Sequence, residues 1–471
     1  MALTRLPDAR ERFAAGQERR KQMRRMQHRI WKAKDRRESP LALLDASTRG
    51  RIPALVALKK QLMAASPFGY FRGAVPVMAY DLSLIANTGI RNQLCGDAHV
   101  RNLGVFAAPD GRLVFDINDF DETIVAPFEW DVKRMATSLV LAGRGAGAKN
   151  VDCREAAAVF LENYRTMMAM FARSTVLDVA RYQVHRLGNL ASVAGILQVA
   201  ERATPMHTLL TLTEAKGETA TTKTKAAKKG AVAKAAKMGT AQLPQRVFKT
   251  MPPTLTRVTG ELAAKVLGSL TEYVKSLQPE RRHFLAQYRP VDVAFKVVGT
   301  GSVGLRDYVV MMEGNGPKDP LFLQIKEEVA SGYAPYLPVG ARKEREHQGR
   351  RVVYGERAMQ LQSDPFLGWT TMEDRDYLVR QLNDHKASVQ LQNLKAAGLL
   401  EYAAVCGEML ARGHARAGDS AMIAGYLGRS TRFDEAVGQF AEAYANQTEL
   451  DWKHLVQSLK KPGKKIAAKK G

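Results

Sequence analysis

The 471 residues, 45% of them apolar, suffice for two or three folded units that each bury a core. Three odd, widely spaced cysteines (Cys95, Cys153, Cys406) exclude a disulfide-stapled scaffold and a cysteine-ligated metal, and point to a reducing cytoplasm. The opening MALTRLPDARERF is charged where a signal peptide is apolar, and no run approaches the roughly 18 apolar residues of a membrane span, so a soluble cytoplasmic protein with no membrane partner is expected.

The formal charge of +24 is concentrated in three pieces. Residues 1–37 carry +9, residues 215–238 +6 and residues 460–471 +6, which leaves about +3 for everything else. Disordered, solvated basic tails are expected, able at most to bind nucleic acid weakly and without sequence preference. Six segments follow: a basic arm (1–40), a catalytic-loop half (41–210), an Ala/Lys/Thr-rich linker (211–245), a glycine-loop nucleotide lobe (246–390), a helical part (391–459) and a basic tail (460–471).

In chain order, residues 41–65 show helical spacing and SPFGYFRGA breaks it with Pro67, Gly69 and Gly73. RNQLC, the loop GDAHVRN, LGVFA, the turn Pro109-Asp110-Gly111 and RLVFDI read as short strands around a hairpin. Helical text covers 130–141 and 154–177. Beyond the linker, DVAFKVV, DYVVMMEG and LFLQIKEE are strand-like, 345–361 is helical, YLVRQLND is one more strand, and the remainder to about Leu459 is helical.

The first chemical constellation is Gly96-Asp97-Ala98-His99-Val100-Arg101-Asn102, followed seventeen residues on by Asn118-Asp119-Phe120-Asp121-Glu122. Phosphoryl transfer needs a carboxylate to orient the attacking hydroxyl and oxygen ligands for Mg²⁺, which D-x-x-x-x-N and a later strand-end Asp supply. An Asp in a glycine-containing turn is more often an Asx turn or a cap. Both motifs across one hairpin favour chemistry. His99 reads as a residue that orients its neighbours, His414 as packing, Asp131 as a cap or an anchor for the loop, and Arg72 as an ion-pair partner more often than a phosphate ligand.

The second constellation is Gly299-Thr300-Gly301-Ser302-Val303-Gly304 between two strands. A dinucleotide fingerprint needs a helix after the last glycine; strand text follows instead, which favours a flap over phosphates. Twenty-two residues later Lys326 sits on a strand where it could reach the α and β phosphates. Glu346 and Glu356 lie in the next helix as candidate partners for that lysine, with Glu356 preferred.

With these residues in view, the chain resembles a bacterial domain-of-unknown-function family, number 2252, through SPFGYFRG, LCGDAHVRNLG, FDINDFDET, FEWDVKRMATS, VGTGSVGLRDYVV and LFLQIKEE. That family is similar in turn to the protein-kinase-like superfamily of aminoglycoside and choline phosphotransferases. The resemblance implies an α+β, two-lobed fold in which Asp97 is catalytic, Asn102 and Asp119 bind metal, and Gly299, Gly301, Ser302, Gly304, Lys326 and Glu356 hold the nucleotide. Two departures stand out: Cys95 occupies the place of a supporting histidine, and the glycine loop follows the catalytic loop by about two hundred residues. Circular permutation accounts for the inverted order.

The expected activity is transfer of phosphate from ATP, with Mg²⁺, to an unidentified small-molecule or protein hydroxyl; nucleotidyl transfer uses similar parts. The alternative is a non-catalytic nucleotide-binding module tethered by its basic tails to nucleic acid or an acidic partner. A binuclear metallophosphoesterase built on Asp97-Ala98-His99 ranks last, because no later G-N-H or G-H-x-H supplies its other ligands.

Overall fold

The computed structural model describes residues 7–183, 191–217, 245–297, 299–338, 346–382, 387–389 and 397–460, without the side chains of 191–194. The fold is mixed α+β. Helices Glu129–Gly145, Asn150–Phe171, Ala397–Ala417 and Arg432–Lys460 form one half, with a common core that includes Phe128, Phe160, Tyr164, Tyr402, Met409 and Phe440. The long C-terminal helices therefore complete the half begun by residues 129–171, across the intervening sheet sequence.

The other half is a six-stranded antiparallel sheet in the order 368–372, 375–381, 320–327, 307–313, 289–296, 255–258. Its strands are rich in Val, Ile, Leu, Phe and Tyr, as a sheet covered on both faces requires. One face packs on Val266 and Tyr273 of the Gly260–Ser276 helix. The opposite face, with Ala294, Val309, Met311 and Phe322, meets Leu209 and Phe248.

Local expectations hold in part. Leu103–Ala107 pairs with Leu113–Ile117 through the Pro109-Asp110-Gly111 turn, as the hairpin reading expects, and Arg91–Leu94 pairs with Ile124–Pro127. The loop GDAHVRN thus joins two different sheets. Residues 67–73 are a helix, because Pro67 sits in its first turn and Ser66 caps it by accepting from Gly69 N.

The basic arm is folded over most of its length, against the expectation of a disordered tail. Ala9–Gln22 is a helix capped by Asp8 and Glu11. It lies against Ser420–Leu427 at backbone contact: a Cβ on Gly16 would stand 2.0 Å from Met422 O, and one on Gly425 would stand 2.1 Å from Phe13 O. Arg36 is buried, donating to Asp81 at 2.6 and 2.7 Å and to Asp451 at 2.9 Å, with Tyr444 Oη also donating to Asp81. Arg36 is a counter-charge for buried carboxylates, which a charge count cannot distinguish from a solvated face.

The centre of the linker and the 461–471 tail lie outside the described residues. The linker's two ends are paired, Thr213–Ala215 against Arg246–Phe248. Among the described residues no helix is long and apolar enough to cross a membrane.

Candidate functional site

The loop 95–102 is built around Asp131, in the first turn of the Glu129–Gly145 helix. Its carboxylate accepts from Cys95 N at 2.8 Å and Gly96 N at 3.0 Å, and meets His414 Nε2 at 3.3 Å. His414 is oriented in turn by Tyr164 Oη at 2.8 Å. Asp131 is therefore the anchor of the loop, and His414 has a polar task in addition to packing. Gly96 has φ +82° and passes so close to Glu122 that a Cβ would stand 2.1 Å from its carbonyl oxygen, so the position admits only glycine.

One turn along the same helix, at i+3 from Asp131, Arg134 grips the Asp97 carboxylate through Nε at 2.7 Å and through Nη2. Nε2 of His99 lies 3.5 Å from the other Asp97 oxygen. Burial opposes ionisation of Asp97, but Arg134 and His99 overcome it and hold the carboxyl well below its usual range. Burial also holds the His99 imidazole below its ordinary value.

Asn102 ties the two acidic loops together. Its Nδ2 donates to Asp97 O at 3.1 Å and to Asp119 O at 2.9 Å, while its buried Oδ1 has no hydrogen-bond partner among the described residues. A buried acceptor left unsatisfied costs about 1–3 kcal/mol, so the atom is a place that a water or an ion can complete. Asp119 Oδ1 accepts from Asp121 N at 3.3 Å.

The sheet half closes on this loop. Lys326 is ion-paired with Asp121 and lies 3.8 Å from Glu328. Burial and the neighbouring Asp119 push Asp121 up, against the pull of Lys326; burial likewise raises Glu122 and Glu328. Arg351 stitches the halves by donating to Thr123 O, Asp121 O and Val329 O at 2.5–2.9 Å. Glu356 is buried on the Gln348–Met359 helix, and its charge acts on Arg380, whose Nη1 lies 3.4 Å from Asn118 O. Glu346 lies just before that helix.

One cavity of about 560 Å³ is lined by Asp97, His99, Asp119, Asp121 and Glu122 from the loop half and by Gly299, Thr300, Gly301 and Ser302 from the glycine turn. Gly304 and Lys326 border a narrow cleft behind it that shares Ser302. The two constellations, remote in sequence, are brought together. Gly299 (φ +61°) and Gly304 (φ +95°) both need the left-handed region; Gly301 does not.

Sequence reasoning did not single out Arg51, Lys59 or Arg134, and left Asp121 and Glu328 without roles. The i,i+3 spacing of Asp131 and Arg134 was a usable signal for one of them. No group of three His, Cys, Asp or Glu side chains suited to a metal occurs among the described residues.

Neither the curated proteins nor the solved structures gave a match to the chain. The model of an uncharacterised protein family conserved in bacteria, DUF2252, matches residues 51–458, and the chain belongs to that family.

Proposed function

We propose that the protein is an ATP- and Mg²⁺-dependent phosphotransferase with a permuted kinase-like arrangement. The observation that carries this reading is that Asp97 and Asp119 share one cavity with the Gly299–Ser302 turn; Asn102, which hydrogen-bonds both acidic loops, has an Oδ1 without a partner among the described residues. The order within the sheet half supports it: strand, glycine turn, strand, a strand bearing Lys326, then a helix bearing Glu356.

Asn102 and Asp119 fit Mg²⁺, a hard cation that commonly takes one or two protein oxygens and completes its shell with water and substrate phosphates. When bound, the ion would neutralise charge on the phosphates. Asp97, held anionic by Arg134, suits the orientation of an acceptor hydroxyl better than strong proton abstraction, since a carboxylate of depressed pKa is a weak base. Lys326, ion-paired with Asp121, borders the sheet side of the cleft.

The tethered-module alternative loses support from the arm, where Arg12, Arg20, Arg25 and Arg36 bond to the protein's own carboxylates and carbonyls. The test is Mg²⁺-dependent binding of a non-hydrolysable ATP analogue, followed by phosphate release or transfer from ATP, in wild type, Asp97→Ala and Asp119→Ala. Nucleotide binding retained in Asp97→Ala with turnover lost, and Mg²⁺ dependence lost in Asp119→Ala, is the expected pattern. Unchanged turnover in Asp97→Ala would sink it.

A further inference from the structure

Three cations line the cavity from the N-terminal helical segment: Arg51, Lys59 and Arg72. Lys59 is only 3% exposed, and its ammonium donates to Thr300 O at 3.2 Å and Gly301 O at 2.5 Å. Arg51 donates to Ser47 O, Gly301 O and Val303 O at 2.8–3.2 Å. Among the described residues Arg72 makes only long contacts, 3.4 Å to His99 Nε2 and 3.5 Å to Thr300 Oγ1.

Among the described residues none of the three pairs with a carboxylate, whereas Arg134, Lys326 and Arg412 each hold one. Neutral carbonyls satisfy a buried ammonium's hydrogen bonds but not its charge. The cost is visible at Lys59, whose pKa is drawn down to about 7 by burial and by Arg51, against the weaker pull of Glu122 and Asp97. Meanwhile Lys326, the lysine expected to meet phosphate, is already neutralised by Asp121. Cations without an ion-pair partner among the described residues thus lie on one wall of this cavity, where Glu122 and Asp121 act on Arg51 only through space, and a paired cation lies on the other.

We propose that Arg51, Lys59 and Arg72 form a phosphate-binding site beside Asp97, which receives either the terminal phosphate of the nucleotide or a phosphomonoester carried by the acceptor. Three cations around one doubly charged group supply its counter-charge, and the guanidinium forks match phosphate oxygens in pairs. A cavity of about 560 Å³ leaves room for the rest of such a molecule. The assignment deepens the phosphotransferase reading by naming what holds the phosphate, yet it concerns binding alone and stands apart from turnover.

The experiment is calorimetric titration of the full chain with inorganic pyrophosphate in the absence of Mg²⁺, at fixed ionic strength. Wild type, Arg72→Gln, Lys59→Met and the control Arg112→Gln, on the exposed hairpin turn, are compared. Wild type and Arg112→Gln should bind alike, and Arg72→Gln and Lys59→Met should each bind about tenfold or more weakly, the loss expected for one charged hydrogen-bonding group. No binding to wild type at millimolar pyrophosphate, or equal binding by Arg72→Gln and Arg112→Gln, overturns the site. Because Lys59→Met also releases the glycine turn, Arg72→Gln with an unchanged unfolding midpoint is the deciding variant. Displacement of pyrophosphate by a non-hydrolysable ATP analogue assigns the site to the nucleotide; simultaneous binding assigns it to the acceptor, and both uphold it. Omitting Mg²⁺ keeps failure here distinct from failure of the catalytic reading, which turns on Asp97 and Asp119.

Discussion

The loop 95–102 and the turn 299–304 face one cavity but are held in different ways. The loop is fixed from within its own half, by Asp131 and Arg134 on an adjacent helix and by Asn102 inside the loop itself. The turn is fixed from outside, by Ile52 N donating to Gly304 O at 2.7 Å and by the side chains of Arg51 and Lys59 on its carbonyls. A scaffold assembled locally keeps its geometry while the halves shift; a turn clasped by a remote segment is positioned only when that segment is docked. The difference separates a preorganised loop from a turn whose position is conditional.

Four perturbations would break or sharpen that contrast. Asp131→Ala strips two loop amides and His414 of their acceptor, and should destabilise the protein by about 3–5 kcal/mol in urea unfolding; a loss under 1 kcal/mol would mean the loop is not anchored there. Arg36→Ala leaves Asp81 and Asp451 buried without their cation and should cost about 3 kcal/mol; a solvated arm would show almost none. Gly304→Ala places a side chain at φ +95° and 3.1 Å from Arg51 Cβ, for a loss of about 1–2 kcal/mol, whereas Gly301→Ala, whose added carbon meets nothing closer than 3.9 Å, should stay within about 0.5 kcal/mol. Similar losses at both glycines would deny the turn its fixed backbone.

The smallest effect concerns pH. Lys59 has a folded value of about 7 against its ordinary 10.5, so between these limits the unfolded chain carries a proton that the folded protein lacks. Stability contributed at this residue therefore rises with pH across that window, and Lys133, drawn to about 8 by burial, adds in the same direction. Urea midpoints measured at about pH 7 and pH 9 should show a smaller increase in Lys59→Met than in wild type. An equal increase would place the titration elsewhere.

Much of the candidate site is readable from the sequence because its parts lie close together: Asp97, Asn102 and Asp119 fall within one short run with clear turn signals on either side. The strands at 307–313 and 320–327 are equally plain, being continuous apolar runs bounded by polar turns. The Gly260–Ser276 helix was passed over although Ala263, Val266, Leu270 and Tyr273 mark its apolar stripe. The pairing of the strands at 91–94 and 124–127 could not be read, since the whole Leu103–Ile117 hairpin lies between them in sequence. Lys59 and Arg51 gave no local signal at all. Their significance comes from carbonyls about 240 to 250 positions away, and a lysine on an amphipathic helix looks like a solvated face until its neighbour across the fold is known.

The paired ends of the linker have a practical consequence. Because Thr213–Ala215 and Arg246–Phe248 run side by side, whatever chain lies between them leaves and re-enters the fold at one spot. The free energy of closing such a span grows only with the logarithm of its length, by about 0.6 kcal/mol per doubling. A reporter domain with neighbouring termini could be spliced there at little cost to folding, giving an optical handle on the sheet half without touching the cavity.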